Sequence, residues 1–115
     1  MGCIFCEIIN RGQKGDIIFE TKELVAFKDI HPKAPVHILV VPRQHIVSLV
    51  DTDASRREIL GNLFSAAADI ARMQGIAESG FKVVMNVGRG GGQIIDHLHV
   101  HVLGGWKEED NRELP

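Results

Sequence analysis

The chain of 115 residues has no excess of charge of either sign: 13 basic and 15 acidic side chains leave a formal net charge of -2. The two signs are interspersed, which argues against a nucleic-acid tail and against a polybasic membrane patch. No apolar run approaches the roughly 20 residues that span a bilayer. The opening "MGCIFCEIIN" has no basic stretch followed by an apolar core and cleavage site, so export is not expected. It also carries Cys6 where a myristoylation signal needs Ser or Thr. Cysteine is scarce, and Cys3 and Cys6 are too few for a disulfide framework. In a reducing cytoplasm such a pair reads as metal-binding, redox-active or merely buried. No internal repeat, low-complexity tract or linker divides the sequence, so one cytoplasmic domain over residues 1–115 is expected.

What is present is ordered by short-range periodicity. Ile4, Phe5, Ile8 and Ile9 have the spacing of a short amphipathic helix stopped near Gly12. "DIIFET" and "ELVAFKDI" read as strands about a polar turn at Lys22 and Glu23. "HPKAP" breaks regular structure through its prolines, and "VHILVVP" is an apolar strand ended by Pro42. A long helix is predicted from about Arg56 to Met73, with Ser55 and Glu58 as a capping box and Gly75 as its stop. "FKVVMNVG" is a further strand, "RGGGQ" a loop, and the last strand holds "HLHVHVL". The order predicts an α+β fold with a five-stranded antiparallel sheet. Such a sheet has a face to bury and an edge to protect, so a homodimer is expected.

Three of the six histidines fall at every second position, at residues 97, 99 and 101. Side chains alternate along a strand, with next-but-one residues about 6.5–7 Å apart. His97, His99 and His101 therefore share one face, and Leu98, Val100 and Val102 pack inward from the other. Imidazole can act as nucleophile, general acid, phosphate donor or metal ligand. The upstream "NVGRGGGQ" leans toward phosphate, because glycines at 88, 90, 91 and 92 let backbone N–H groups approach an anion. That loop lacks the Lys and Ser/Thr of a P-loop and does not fit the dinucleotide fingerprint, so it carries weight only beside the histidines.

"HLHVHVL", with "GGQIIDHLHVHVLGG" and "DIHPKAPVHILVVPRQHI", resembles the histidine triad (HIT) family, in its Hint-like, nucleotide-binding phosphoramidase branch. The likeness runs from Cys3 to Gly105. It implies a dimer that binds a purine nucleotide such as AMP or GMP and cleaves at the α-phosphate, with no organic cofactor. It implies His99 as the nucleophile, with its other ring nitrogen donating to a main-chain carbonyl, and His101 as a phosphate contact that neutralises developing charge. Gly92 and Gln93 match loop residues that touch the phosphate, and Asn86 matches a polar contact. Asp29 matches the carboxylate on the ribose hydroxyls, Ile30 an apolar contact to the nucleoside, and His37 a further histidine near the triad. From the residues alone, Asp29 also reads as a turn cap before Pro32, and Asn86 as an ordinary strand-end residue. His31, in the proline loop, reads as solvent-exposed.

The sequence departs from the family pattern at two places. Ile94 stands where many relatives have a Ser or Thr thought to assist the leaving group, and isoleucine can neither donate nor accept. Intact nucleotide binding with slower or differently selective turnover is the expectation. The tail "WKEEDNRELP" lacks the Trp-Pro-Pro-Gly ending of many close relatives, and Trp106 reads as a packing aromatic. Cys3 and Cys6 have the spacing of half a zinc site, and the resemblance supplies His45 and His97 as the other half of a structural Zn centre. Two rival readings stand beside the hydrolase: a nucleotide-binding module with negligible turnover, and a zinc-stabilised interaction protein with a vestigial pocket. A dinucleoside-polyphosphate hydrolase of the same fold is disfavoured by "HVLGGW".

Overall fold

A computed structural model of the chain describes residues 2–11 and 17–107. Helix α1 (Ile4–Ile9) leads to strands β1 (Ile17–Glu20), β2 (Leu24–Lys28) and β3 (Val36–Pro42). Helix α2 (Arg57–Met73) follows, then β4 (Phe81–Val84) and β5 (Val100–Gly104). The five strands form one antiparallel sheet in the order β1-β2-β3-β5-β4. The predicted fold class is thus the observed one. The expected helix stop at Gly12, the first residue of "DIIFET" and most of the tail lie outside the described residues.

Residue parity sorts the sheet into two faces, because successive strand side chains point opposite ways. Leu24, Ala26, Ile38, Val40, Val100 and Val102 are buried together with Leu63, Ala67 and Ile70 of α2. Val25, Phe27, Leu39 and Val41 face the other way and are buried with Phe5, Ile8 and Ile9 of α1. The sheet therefore has a long helix on one face and a short helix on the other. The short helix covers only part of its face, and the remainder is open to a cavity. No described helix is long and apolar enough to cross a membrane.

Two expectations change. The Ser55–Glu58 capping box does not form. Instead the Asp53 carboxylate accepts from the Ser55 amide at 2.9 Å and starts a 3₁₀ turn over Ala54–Arg56 that feeds α2. Asp53 is the better acceptor at this end, being ionised and two residues from the first free amide. The stop at Gly75 holds: its φ is 74°, Gly75 N–H donates to Arg72 O, and Ile76 N–H donates to Ala71 O. This left-handed closure drops Ile76 into the α2 core.

The second change concerns the histidines. β5 begins at Val100, so His101 lies in the strand while His97 and His99 precede it. Continuing the register would set Val41 and Pro42 of β3 opposite His99 and Leu98, but Pro42 has no N–H to give a ladder, and the Leu98 amide bonds instead to Ile46 O at 2.6 Å. The alternation survives without the ladder. Leu98, Val100 and Val102 are buried on the α2 side, and the three imidazoles turn to the α1 side.

Candidate active site

A cavity of about 650 Å³ opens on the α1 face, a size that suits a small organic ligand. Its wall is largely apolar, with Ile4, Phe5 and Ile8 from α1, Phe27 from β2, and Leu39 and Leu103 from the sheet. Asp29, His37, Asn86, His99 and His101 supply polar groups to it, and Lys28, His31 and Lys33 also line it. Ile30 and Ile94 also line it, each 80% exposed.

Hydrogen bonds fix the tautomer of each imidazole. His99, 6% exposed, donates from Nδ1 to the His97 carbonyl at 2.7 Å. Its neutral ring therefore carries a lone pair on Nε2. The Lys33 amide donates to His37 Nδ1 at 3.0 Å, which puts the His37 proton on Nε2. That Nε2–H faces His101 Nδ1 at 2.9 Å and Asp29 Oδ2 at 3.4 Å. With Nδ1 as the acceptor, neutral His101 holds its proton on Nε2. The site thus offers one imidazole with a free lone pair and one with a free N–H. The pairing of His37 with His101 follows from the register, since Leu39 stands opposite His101 and His37 reaches diagonally across the strands.

Burial keeps these rings uncharged. Desolvation lowers the pKa of His37 and of His99 below the usual histidine value. For His101, burial together with its His99 and His37 neighbours lowers the pKa to about 4. Each is neutral at pH 7, the form that a nucleophile requires.

Asp29 serves two contacts. Oδ1 accepts from the His31 amide at 2.8 Å, closing the turn before Pro32, while Oδ2 lies at the cavity beside His37. The turn-cap reading of the sequence describes the Oδ1 contact, and Oδ2 turns to the cavity. Asn86 lies beyond the end of β4, lines the cavity, and donates from Nδ2 to Gly91 O at 2.8 Å. Gly92 packs against that amide with φ 90°, and a Cβ there would stand 3.4 Å from Asn86 Nδ2. His31 is exposed at the cavity rim.

The glycine loop departs from its sequence reading. Gly91 N–H and Gln93 N–H donate to Gly88 O, and Gly92 N–H donates to Arg89 O, closing a 3₁₀ turn. These amides are engaged within the loop instead of forming an open anion cradle. Gln93 is likewise turned inward. It is 2% exposed and does not line the cavity; its Nε2 donates to Val47 O and Ile95 O, and its Oε1 accepts from the Gly88 amide. It braces the loop that carries Gly92 and Ile94 to the cavity. Arg89, unremarked in the sequence, ties the same loop by bonds to Gln93 O and the Asp96 carboxylate. Phe5 reads in the sequence only as a helix-stripe residue, yet it packs edge-on against both His97 and His99, with ring centroids 5.8 and 5.2 Å away.

Away from the cavity, the ligand atoms of Cys3, Cys6, His45 and His97 all lie within 4.8 Å of one another. His97 is fully buried, and its Nε2–H donates to Pro42 O at 2.8 Å. Its Nδ1 lone pair consequently faces the thiols, 3.4 Å from Cys3 Sγ and 3.6 Å from Cys6 Sγ. His45 Nδ1 lies 3.3 Å from Cys6 Sγ. Two thiols and two imidazoles, one already oriented by a carbonyl, are a donor set suited to a tetrahedral divalent ion such as zinc. Burial and the neighbouring Cys3 push the Cys6 thiol up to about 11, a shift that a bound cation reverses. Asp29, His37 and His101 form a second cluster, but two of its nitrogens already share a proton. Trp106 sits under the Lys82 ammonium, 5.3 Å from its ring centre.

The geometry agrees with the comparisons. A HIT domain family model matches residues 10–108. The purine nucleoside phosphoramidase of Escherichia coli (strain K12) is 43% identical over 102 residues, covering 89% of this chain and 86% of that protein. A HIT family hydrolase from Legionella pneumophila Philadelphia 1 is 39% identical and superimposes with a TM-score of 0.89 over 92% of this chain and 95% of its own. One from Clostridium thermocellum is 38% identical, with a TM-score of 0.90 over 98% of this chain and 95% of its own. Sequence and fold agree, and the chain belongs to the HIT domain family.

Proposed function

We propose that this protein is a hydrolase that cleaves a purine nucleoside phosphoramidate at its phosphorus through a nucleotidyl-histidine intermediate. The observation that carries the reading is the His99 Nδ1–H bond to the His97 carbonyl, which leaves an uncharged Nε2 lone pair on a residue of the cavity wall. The apolar wall suits a purine ring, Asp29 suits the ribose hydroxyls, and Asn86, Gly92 and the histidines of the same cavity suit a phosphate. The names of the Escherichia coli relative and of the hydrolase structures support the same reaction class.

In this reading His99 Nε2 attacks phosphorus as the P–N bond of the substrate breaks, and the departing nitrogen takes the proton of His101 Nε2. Water then attacks the nucleotidyl-histidine and returns a proton to His101, releasing a nucleoside monophosphate and leaving both rings as they began. The His37 N–H, donated to His101 Nδ1, steadies the negative charge that develops on His101 as its Nε2 proton leaves. One further observation favours the rival binding module. Ile94 lines the cavity where it offers the leaving group no hydrogen bond.

The same reading assigns a structural zinc ion to Cys3, Cys6, His45 and His97, on the strength of the donor set. It takes His97 out of the chemistry and leaves His99 and His101 to act. A second copy of the chain is the expected partner, supported by the open edge of β4 and by Phe64 and Met73 exposed on α2. Two unlinked cysteines fit the reducing cytoplasm as the setting. The test is incubation with an adenosine phosphoramidate. Wild type should release AMP and His99→Ala should not; equal release by both would overturn the assignment, and no release by wild type with AMP still bound would favour the binding module.

A further inference from the structure

The two sites share structural parts. Helix α1 has six residues, well short of the roughly 12–15 at which an isolated helix becomes even marginal in water. It is held by what it touches. One side of it, Cys3 and Cys6, faces the metal cluster; another, Ile4, Phe5 and Ile8, is a wall of the nucleotide cavity. Phe5 lies between the thiols in sequence and packs on His97 and His99 together.

His97 makes a second connection. Its Nδ1 faces the thiols, its Nε2–H is fixed on Pro42 O, and its carbonyl accepts the proton of His99 Nδ1. The ring that would hold the ion and the carbonyl that orients the nucleophile thus belong to one residue. Whatever fixes that ring restricts the carbonyl, and whatever orders α1 completes the cavity.

We infer that the Cys3–Cys6–His45–His97 cluster and the nucleotide cavity are coupled through α1 and His97, so that zinc and a nucleotide tighten each other's binding. The inference rests on the metal and nucleotide readings given above. Ligands that order the same segment share the cost of ordering it, and the coupling is reciprocal by linkage. His97 and Phe5 are positioning residues in this account, not catalytic ones.

The test uses the full chain, zinc and AMP. Calorimetry gives the AMP affinity of zinc-loaded and of chelated protein, and competition with a chromophoric chelator gives the zinc affinity with and without saturating AMP. Both affinities should improve by the same factor, about five-fold or more. Equal AMP affinity in the loaded and metal-free forms, with circular dichroism showing both folded, would overturn the coupling and leave the metal site standing. A chain that takes up no zinc would overturn the cluster's assignment and the coupling with it, and one that binds no AMP in either form would do the same through the nucleotide reading. Should chelation unfold the chain, cobalt(II)-loaded protein carries the test. Its visible ligand-field band should shift as AMP saturates the cavity, and a band unmoved at saturation would refute the inference.

Discussion

Replacing Gln93 by Ala separates a loop brace from a ligand contact. The Gln93 amide makes three hydrogen bonds, from Nε2 to Val47 O at 2.7 Å and to Ile95 O at 2.9 Å, and to Oε1 from Gly88 N–H at 2.9 Å. A typical intramolecular hydrogen bond contributes about 1 kcal/mol net, and unpaired buried partners add to the loss. Water reaching the partly exposed rim of the loop offsets some of it. The expected destabilisation is therefore about 2–3 kcal/mol, a large fraction of the roughly 5–15 kcal/mol that holds a domain together. A glutamine that served only to touch ligand would be worth within about 0.5 kcal/mol in the free protein. Urea unfolding with an unchanged slope reads the difference directly. Gln93→Glu should cost at least as much, because its carboxylate presents acceptors to two carbonyls. A loss below about 0.5 kcal/mol for Gln93→Ala would refute the brace.

The remaining predictions concern the cavity and its protons. Ile94→Ser restores a hydroxyl at an exposed position of the cavity wall. Phosphoramidate turnover should rise by about ten-fold or more with AMP affinity unchanged; an unchanged rate would remove Ile94 as the cause of slow turnover. Stability should fall on acidification, since His101 titrates near pH 4 when folded and near 6.5 when unfolded. The unfolded chain then binds more protons throughout that window. The contribution of His101 is present in full above about pH 6.5, declines as pH drops, and is gone near pH 4, a change of up to about 3 kcal/mol. Urea midpoints measured across that range should drop, and more steeply in wild type than in His101→Asn; identical profiles would contradict the shift.

Much of the architecture could be read from the sequence because it depends on short periods. The apolar stripe of α2, the strands and the alternation from His97 to Val102 are set by neighbours a few residues apart, and parity alone placed the three imidazoles opposite the α2 core. What escaped depends on distant partners. Gln93 reads as a phosphate contact until Val47, 46 residues away, is seen to accept its amide. The His37–His101 pair, separated by 64 residues, needs the β3–β5 register. β5 begins later than its hydrophobic pattern because Pro42 of β3 lacks the N–H a ladder opposite Leu98 would need, and the Leu98 amide is taken by Ile46 O. The glycines predicted a loop correctly, but the 3₁₀ closure that occupies its amides has no sequence signal of its own. Of the resemblance-based site, Asp29, Ile30, His37, Asn86, Gly92, Ile94, His99 and His101 share the cavity, and Cys3, Cys6, His45 and His97 share the cluster.

The most direct measurement traps the enzyme in mid-reaction: wild type is mixed with an adenosine phosphoramidate, quenched, and digested under conditions that preserve phosphorus–nitrogen bonds. Mass spectrometry should find one adenylyl group on the peptide from Asp96 to Leu103, localised by fragmentation to His99 and absent from His99→Ala. An adenylyl group on His101, or steady AMP release with no adduct at any quench time, would contradict nucleophilic attack by His99.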